Sequence, residues 1–509
     1  MYILTNGQMR EADKYTIRDC NMQSLVLMER AGEALANEAE KLAPKGKIVC
    51  VCGGGNNGGD GFVCARILSR RGREVDVLFF SEKTSEDCFT NYSRWIEDGG
   101  QVCDDFIKNV YALAVDCLFG TGFHGGLNGK YAQIAQELND EKKRGMKILS
   151  ADIPSGVNGD NGRVETVAVQ ADVTLCIGER KLGAILNDGI DYSGEIACAD
   201  IGIRLPKNTY AELLNKESIY RTLPERKRNS HKGVYGRAAI VAGSAQYTGA
   251  AYLSAAACLR SGVGYTSLYV PQDILPYYVL KLPEVLLFSS NEGDRYEFNE
   301  EIMRGLLVYD SIAFGMGMGV SMAVALGVKY LLEQFTGRLV LDADALNSLA
   351  VYEKENLPKL FQNKKCDVLL TPHVKEFSRL SGKAVQEILN DPIQKTQTFA
   401  KEYGVNVLLK NAVSILSDGE RIAISVTGTS GQAKGGSGDV LSGVIAGLCA
   451  SGLSAFDGAK VAAYITGKAA EIAAGELGEY SLTATDCISH LGKAFLFVSK
   501  NANDGGENE

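Results

Sequence analysis

Two α/β domains, each a parallel sheet with helices wound on both faces, are predicted for this chain on three observations. At 509 residues the chain exceeds what a single hydrophobic core usually supports, so two cores of about 200 to 300 residues are expected. Short apolar runs alternate with amphipathic stretches in two separate series, which is the pattern of strands and crossover helices in parallel sheets. The most unusual loops are rich in glycine and directly follow those runs, where ligands gather at the carboxyl ends of strands.

Composition narrows the function classes. Hydrophobic residues make up 45% and charged residues 23%, the profile of a folded globular protein. The 57 glycines fall in short clusters, as in loops where backbone approaches a ligand closely. Net charge is −9, and no basic run is longer than the short stretch 226–228, so no nucleic-acid partner is expected. The opening MYILTNGQMREADKYTI lacks the apolar core of a signal peptide, and no run of about 18 apolar residues occurs, so no membrane partner is expected either. The 13 cysteines are scattered without paired CxxC motifs. They read as reduced core residues of a cytoplasmic protein.

The first series contains strand-like runs at 47–52 (KIVCVC), 74–80 (EVDVLFF), 112–119 (ALAVDCLF), 147–153 (KILSADI) and 173–177 (VTLCI). Helix-compatible stretches such as 62–71 separate them. Near Asp200 the pattern lapses into a polar segment with two prolines and a charge cluster, read as a linker. A second series then runs through RAAIVAG, YTSLYV, SIAFG, RLVLDADAL, DVLLTPH and VNVLLK. Asp418-Gly419 between SIL and RIAISV predicts a hairpin. The boundaries are therefore a first domain at 1–210, a linker at 211–225, a second domain at 226–500 and a flexible tail at 501–509. No internal repeat relates the halves.

In the first domain, 53–61 (GGGNNGGDG) follows a strand and opens a helix, so its backbone N–H groups can hold a phosphate. Asn56, Asn57 and Asp60 within it suit a sugar hydroxyl or a cation better than a packing role. Asp116 and Asp152 each end a strand and would point at the same crevice; a turn or cap role remains open for one of them. The ordered strings VCGGGNNGGDGFVCAR, VDCLFGTGFHGG and SADIPSGVNGDNG resemble the NAD(P)HX epimerase family over about residues 1 to 210. The resemblance implies a Rossmann-like three-layer domain in which Asn56, Asn57, Gly58, Gly59 and Asp60 hold the hydrated dinucleotide. It implies the same of Gly120, Thr121, Gly122, Phe123, His124, Gly125 and Gly126, with Asp152 at the nicotinamide end. It further implies potassium on Asn57, Asp116 and Ser155, which accords with the preference of hard cations for oxygen. Epimerising the hydroxyl-bearing carbon needs an acid/base group, and Asp152 is the expected one. Lys181, in GERKLG, is equally a solvated surface lysine.

In the second domain, glycines precede a helix whose first turn holds Ser437 and Asp439, in GGSGDVLSGVIAGL (435–448). A helix N-terminus favours a phosphate, while a carboxylate can take a hydroxyl's proton. An acidic N-cap is the alternative. The string resembles the anion hole and base of ribokinase-like kinases. With HKGVYGRAAIVAGSAQYTGAAYLSAAACLRSGVGY, LDADAL, LTPH and LLKNAV it narrows the resemblance to the NAD(P)HX dehydratases, over about residues 220 to 500. By that resemblance Ala251, Gly317, His373 and Asp439 contact the hydrated dinucleotide, Asp439 as base. Lys410, Asn411, Ala412, Val413, Ser414 and Gly438 hold the adenine nucleotide. The family usually has glycine at Asn411, and PGE where Val374-Lys375-Glu376 stands. Asp342 either joins a magnesium shell or leaves LDADAL as a helix cap through Asp344.

Together the resemblances imply a bifunctional repair enzyme for hydrated nicotinamide dinucleotides. One domain would interconvert the epimers of NADHX and NADPHX, and the other would dehydrate the S epimer at the expense of ADP or ATP. Potassium, magnesium and a homo-oligomeric assembly belong to that expectation. The rivals are a small-molecule kinase and, for the first domain, a non-catalytic binding module.

Overall fold

The computed structural model describes residues 2–81, 83–207 and 210–499; the expected tail, 501–509, lies outside them. The chain divides into two compact units, Tyr2–Tyr210 and the residues from Ala211 on.

The first unit is built on seven parallel strands in the order Val102–Cys103, Val75–Phe79, Lys47–Cys52, Tyr111–Cys117, Lys147–Ala151, Val173–Ile177 and Glu195–Ala199. The side chains of Lys47–Cys52 alternate between two cores. Ile48, Cys50 and Cys52 pack with Leu27, Leu35 and Leu68 of helices Ser24–Leu42 and Asn56–Arg70. Val49 and Val51 pack on the other face with Ile134 and Leu138 of helix Gly129–Lys142. Burial on both faces is why this strand reads as an unbroken apolar run. Trp95, 3% exposed, closes the first of these cores. Chain order along the sheet reverses between Lys47–Cys52 and Tyr111–Cys117, and the crevice at such a reversal is where doubly wound sheets bind ligands. A short parallel pair, Tyr2–Leu4 with Arg180–Lys181, belongs to the same unit.

The second unit carries ten strands in the order Leu286–Ser289, Tyr265–Val270, Arg237–Val241, Ser311–Phe314, Arg338–Leu341, Asp367–Leu370, Asn406–Leu409, Ser414–Ser417, Ile422–Ser425 and Ala211–Leu213. The first seven run parallel. Ser414–Ser417 and Ile422–Ser425 form the expected hairpin, with Gly419 at φ +97° in its turn. Here the order reverses between Arg237–Val241 and Ser311–Phe314. Helix Ser437–Ala450, apolar nearly all round, packs in the core with Ala238 and Ile240 and with helix Thr248–Leu259.

Segment 211–225, expected as a linker, is part of this second unit. Ala211–Leu213 is the edge strand beside Ile422–Ser425, and Lys216–Thr222 is a helix. A capping box, in which Asn215 and Ser218 satisfy each other's backbone N–H groups, starts that helix. Ile219, fully buried, ties it to the core.

Candidate active sites

In the first unit the glycine-rich segment is less a loop than a helix start. Helix Asn56–Arg70 begins inside it, with Gly55 as N-cap, so Asn56, Asn57 and Asp60 stand in the first turns. Gly58 and Gly59 lie under the surface for steric reasons. A Cβ on Gly58 would sit 1.8 Å from the Gly53 carbonyl oxygen, and one on Gly59 2.6 Å from the Met28 sulfur.

A cavity of about 540 Å³ opens at the strand reversal. Of the expected residues, Asn56, Asn57, Asp60, Gly120, Thr121, Gly122, Phe123 and Asp152 line it. His124, Gly125 and Gly126 lie beyond its lining, and Gly126 packs on Thr166. Asn57 is 9% exposed, and its side-chain nitrogen has no hydrogen-bond partner among the described residues.

Asp152 follows strand Lys147–Ala151 with φ +70°, a left-handed backbone that Asp tolerates better than most residues. Its Oδ1 accepts from the Ile177 N–H at 3.2 Å and forms an ion pair with Lys181 Nζ. Lys181 is 1% exposed; the alternative of a solvated surface lysine is thereby excluded. Its Nζ also donates to the Ile177 carbonyl at 2.5 Å. Burial works against the lysine's charge, but Asp152 and Cys176 more than offset it and hold the ammonium above its ordinary range.

Asp116, fully buried, accepts from Ser155 Oγ at 2.6 Å, from Ser150 Oγ and Ser155 N–H at 2.9 Å each, and from Leu118 N–H at 3.3 Å. No cationic side chain pairs with it among the described residues. Ser155 Oγ also reaches the Phe119 carbonyl at 3.3 Å. A buried carboxylate without a countercharge, ringed by oxygens, suits a monovalent cation.

Sequence reasoning missed the first helix. Asn6–Arg18 brings Met9, Arg10, Asp13 and Ile17 to the cavity wall. A helical signal was present: Asp13 stands at helical spacing from Met9 and Ile17.

In the second unit the helix Ser437–Ala450 has Gly436 as N-cap, in the left-handed conformation at φ +99°. Asp439 is the third helical residue, so the acidic N-cap alternative does not apply. Burial first, then the nearby Asp342 carboxylate, push its carboxyl up to about 7 against the opposing pull of Lys410. Lys410 Nζ donates to Asp342 Oδ1 at 2.7 Å. A Cβ on Gly438 would come within 3.3 Å of that nitrogen, so glycine there keeps the helix start open toward Lys410. Asp342 Oδ2 accepts from Ser442 Oγ at 2.7 Å. Asn411 and Ala412 are exposed in the turn between Asn406–Leu409 and Ser414–Ser417, Ser414 is half-buried, and Val413 is buried.

Gly317 sits at this unit's strand reversal with φ +64°, where any Cβ would meet Tyr247 and Ala250 within 2.8 Å. Ala251, expected to contact the dinucleotide, is wholly buried and packs toward Gly243. It offers no surface; its exposed neighbours Tyr247 and Gly249 do. His373 caps helix Val374–Ser381. Its Nδ1 accepts from the Lys375 and Glu376 N–H groups at 3.1 and 3.3 Å, while Glu376 accepts from the His373 N–H. The His373 Nε2 stands 3.4 Å from Glu376 Oε1, and about half of the imidazole stays exposed toward solvent. Burial and then Lys410 lower the His373 pKa, and burial pushes Glu376 up to about 7. Glu376, retained from the family's PGE, thus takes a cap role that sequence reasoning left unassigned.

Among the described residues no helix is long and apolar enough to cross a membrane. A family model described as NAD(P)H-hydrate dehydratase matches residues 238–493, and one described as YjeF-related protein N-terminus matches 24–183. A bifunctional NAD(P)H-hydrate repair enzyme of Moorella thermoacetica is 33% identical over 96% of both chains. Another, of Thermofilum pendens, is 33% identical over 95% of this chain and 93% of its own. Among solved structures, the ADP/ATP-dependent NAD(P)H-hydrate dehydratase of Bacillus subtilis is 27% identical, with a TM-score of 0.49, covering 57% of this chain and 99% of that one. With both units matched in order and the likeness spanning the chain, this protein belongs to the family of bifunctional NAD(P)H-hydrate repair enzymes.

Proposed function

We propose that the first unit interconverts the R and S epimers of NADHX and NADPHX through Asp152, and that the second dehydrates the S epimer with Asp439 as base and ADP, or ATP, as cosubstrate. The observation that carries this reading is the position of Asp439 in the first turn of a glycine-opened helix, beside the Lys410–Asp342 pair. Such a helix start favours phosphate, and a carboxylate poised near neutrality accepts a proton when ionised. Phosphorylating the ring hydroxyl turns a poor leaving group into a good one, which accounts for kinase-like machinery in a lyase. Lys410 to Ser414 and Gly438 supply the nucleotide contacts, and Gly317 and His373 the dinucleotide contacts.

The oxygens of Asn57, Asp116 and Ser155 would hold potassium, which would neutralise the buried Asp116 charge and brace the Gly120 to Phe123 turn. Among the described residues no cluster of three or more His, Cys, Asp or Glu gathers to hold a metal. Magnesium would arrive with the nucleotide phosphates, its usual partners, near the Asp342 and Asp439 carboxylates. A cytoplasmic setting accords with 13 unpaired cysteines. A homo-oligomer accords with exposed apolar side chains on the edge strand Leu286–Ser289, Leu286 and Phe288, and on the segment before it, Tyr277 and Leu280, the last 92% exposed.

The deciding experiment supplies purified S-NADHX with ADP or ATP and follows absorbance at the NADH band, then repeats it with R-NADHX. Nucleotide-dependent recovery from both epimers is expected. Phosphorylation of a vitamin or sugar alcohol without NADH recovery would replace this reading with that of a small-molecule kinase.

A further inference from the structure

We infer that Asp13, on the first helix, is a second proton-transfer group of the epimerase cavity, working with Asp152 on the hydroxyl-bearing ring carbon. The inference rests on the epimerase reading of the first unit and adds a residue to it.

The helix that carries Asp13 is fixed in place. Met9, Ala12 and Thr16 are buried, and Thr16 Oγ1 donates to the Ala12 carbonyl at 2.7 Å while accepting from the Arg204 N–H at 2.9 Å. Asp13 is therefore held at the cavity wall by a pinned scaffold, between Met9 and Ile17 one turn either side. Its carboxyl makes no hydrogen bond or ion pair with any described residue, unlike Asp152, which is held by Lys181 and the Ile177 N–H. A carboxyl on a cavity wall with no protein partner is left available to a ligand that enters. Asn57, nine-tenths buried in the same wall, has a side-chain nitrogen that no described group satisfies, a second sign that a polar ligand enters this cavity.

The charged groups lining the cavity are Arg10, Asp13, Asp60, Asp87, Asp152 and Lys181. Burial pushes the Asp13 carboxyl up to about 6, with Asp152 adding to the rise and Lys181 opposing it. Burial, then Asp152 and Asp13, push the Asp60 carboxyl well above the usual carboxylate range. Asp152 lies against an ammonium. The cavity thus sets a carboxyl without a partner, Asp13, beside one held by an ammonium and a backbone N–H, Asp152, two different settings for the two halves of a proton transfer.

Asp13 gives its proton to the ring hydroxyl, whose carbon–oxygen bond breaks with the electron pair leaving in water. The ring nitrogen's lone pair compensates the carbon, leaving a planar cation. Water adds to the opposite face, and the proton it loses goes to Asp152. One proton has moved from Asp13 to Asp152, the hydroxyl has been exchanged, and the configuration is inverted; the reverse direction exchanges the roles.

The test measures R-to-S conversion by full-length protein between about pH 5 and pH 9, a range spanning the relevant acid–base groups. Wild type, Asp13→Asn and Asp13→Glu are compared, with ADP-dependent dehydration of S-NADHX measured on the same preparations. Wild-type kcat/KM for epimerisation should fall as pH rises through about 6, as Asp13 loses the proton it must donate. Asp13→Asn should be slower by about 100-fold or more and should lack that limb, with dehydration unchanged. Asp13→Glu should restore activity together with a displaced limb. An Asp13→Asn enzyme that keeps the wild-type limb, whatever its rate, overturns the inference. If Asp13→Asn does not fold, an unshifted limb in Asp13→Glu overturns it instead. A wild type that interconverts no epimers overturns the epimerase reading itself, an outcome separate from either of these.

Discussion

Lys410 Nζ and Asp342 Oδ1 stand 2.7 Å apart beside the helix start that carries Asp439, and Ser442 occupies the other Asp342 oxygen. Asp342 is 1% exposed, so removing the lysine strands a buried charge. Lys410→Met should destabilise the second unit by about 3 to 5 kcal/mol, the usual cost of breaking a buried pair from one side. Lys410→Met with Asp342→Asn should recover much of that stability while remaining inactive toward the nucleotide. Urea unfolding followed by far-UV circular dichroism measures the difference; equal stability of the single and double variants would show the pair to be uncoupled.

Asp439→Asn should abolish ADP-dependent recovery of NADH by about 100- to 10,000-fold and leave epimerisation at its wild-type rate. As a base Asp439 must be ionised, so wild-type dehydration should rise with pH through about 7. Stability runs the opposite way. A carboxyl whose folded pKa is raised stabilises the fold at low pH, and that contribution is lost as pH rises through about 7. The Asn variant escapes this loss and should unfold at higher denaturant than wild type above neutrality, by at most roughly 4 kcal/mol. Dehydratase activity within about threefold of wild type would remove Asp439 from the chemistry.

Asp152→Asn should slow epimer interconversion by about 100-fold or more and leave dehydration of the S epimer intact. Lys181→Met should do the same and, because it leaves Asp152 without its ammonium, also destabilise the first unit by about 3 kcal/mol. Chiral chromatography of NADHX incubated with each variant reads the first effect and thermal unfolding the second. Full epimerase activity in Lys181→Met would make the ion pair a structural detail only.

Replacing potassium with choline in the buffer should slow epimerisation and lower the melting temperature of the first unit, because Asp116 then remains a buried charge without a counterion. Asp116→Asn should no longer distinguish the two buffers. Identical melting curves for wild type in both would count against a cation at Asn57, Asp116 and Ser155.

What the sequence made legible follows from where its elements lie. Lys47–Cys52, Tyr111–Cys117 and Val173–Ile177 are buried on both faces and announce themselves as apolar runs. Val102–Cys103 and Glu195–Ala199, at the sheet edges, do not. The loops around Asp152 and Asp439 were visible because glycine strings flank them. Lys181 was not, because a lysine is buried only when a carboxylate distant in sequence meets it. Asp13 was missed because its helical spacing from Met9 and Ile17 predicts a helix but not the cavity that only the tertiary fold brings to it. The 211–225 segment is a different kind of miss. Its Asn215-x-x-Ser218 capping box is a local helix signal, outweighed in the reading by the surrounding prolines and charges.

The chain's one tryptophan, Trp95, lies in the core of the first unit, its indole N–H donating to the Gln101 carbonyl at 3.1 Å. Indole emission therefore reports on the environment of that half of the molecule alone, while the peptide-bond signal of circular dichroism reports on both. Recorded together on intact protein, the two signals separate the unfolding of the epimerase half from that of the dehydratase half. A cation or dinucleotide that shifts the fluorescence transition but not the remainder of the dichroic one can be assigned to its half without cutting the chain.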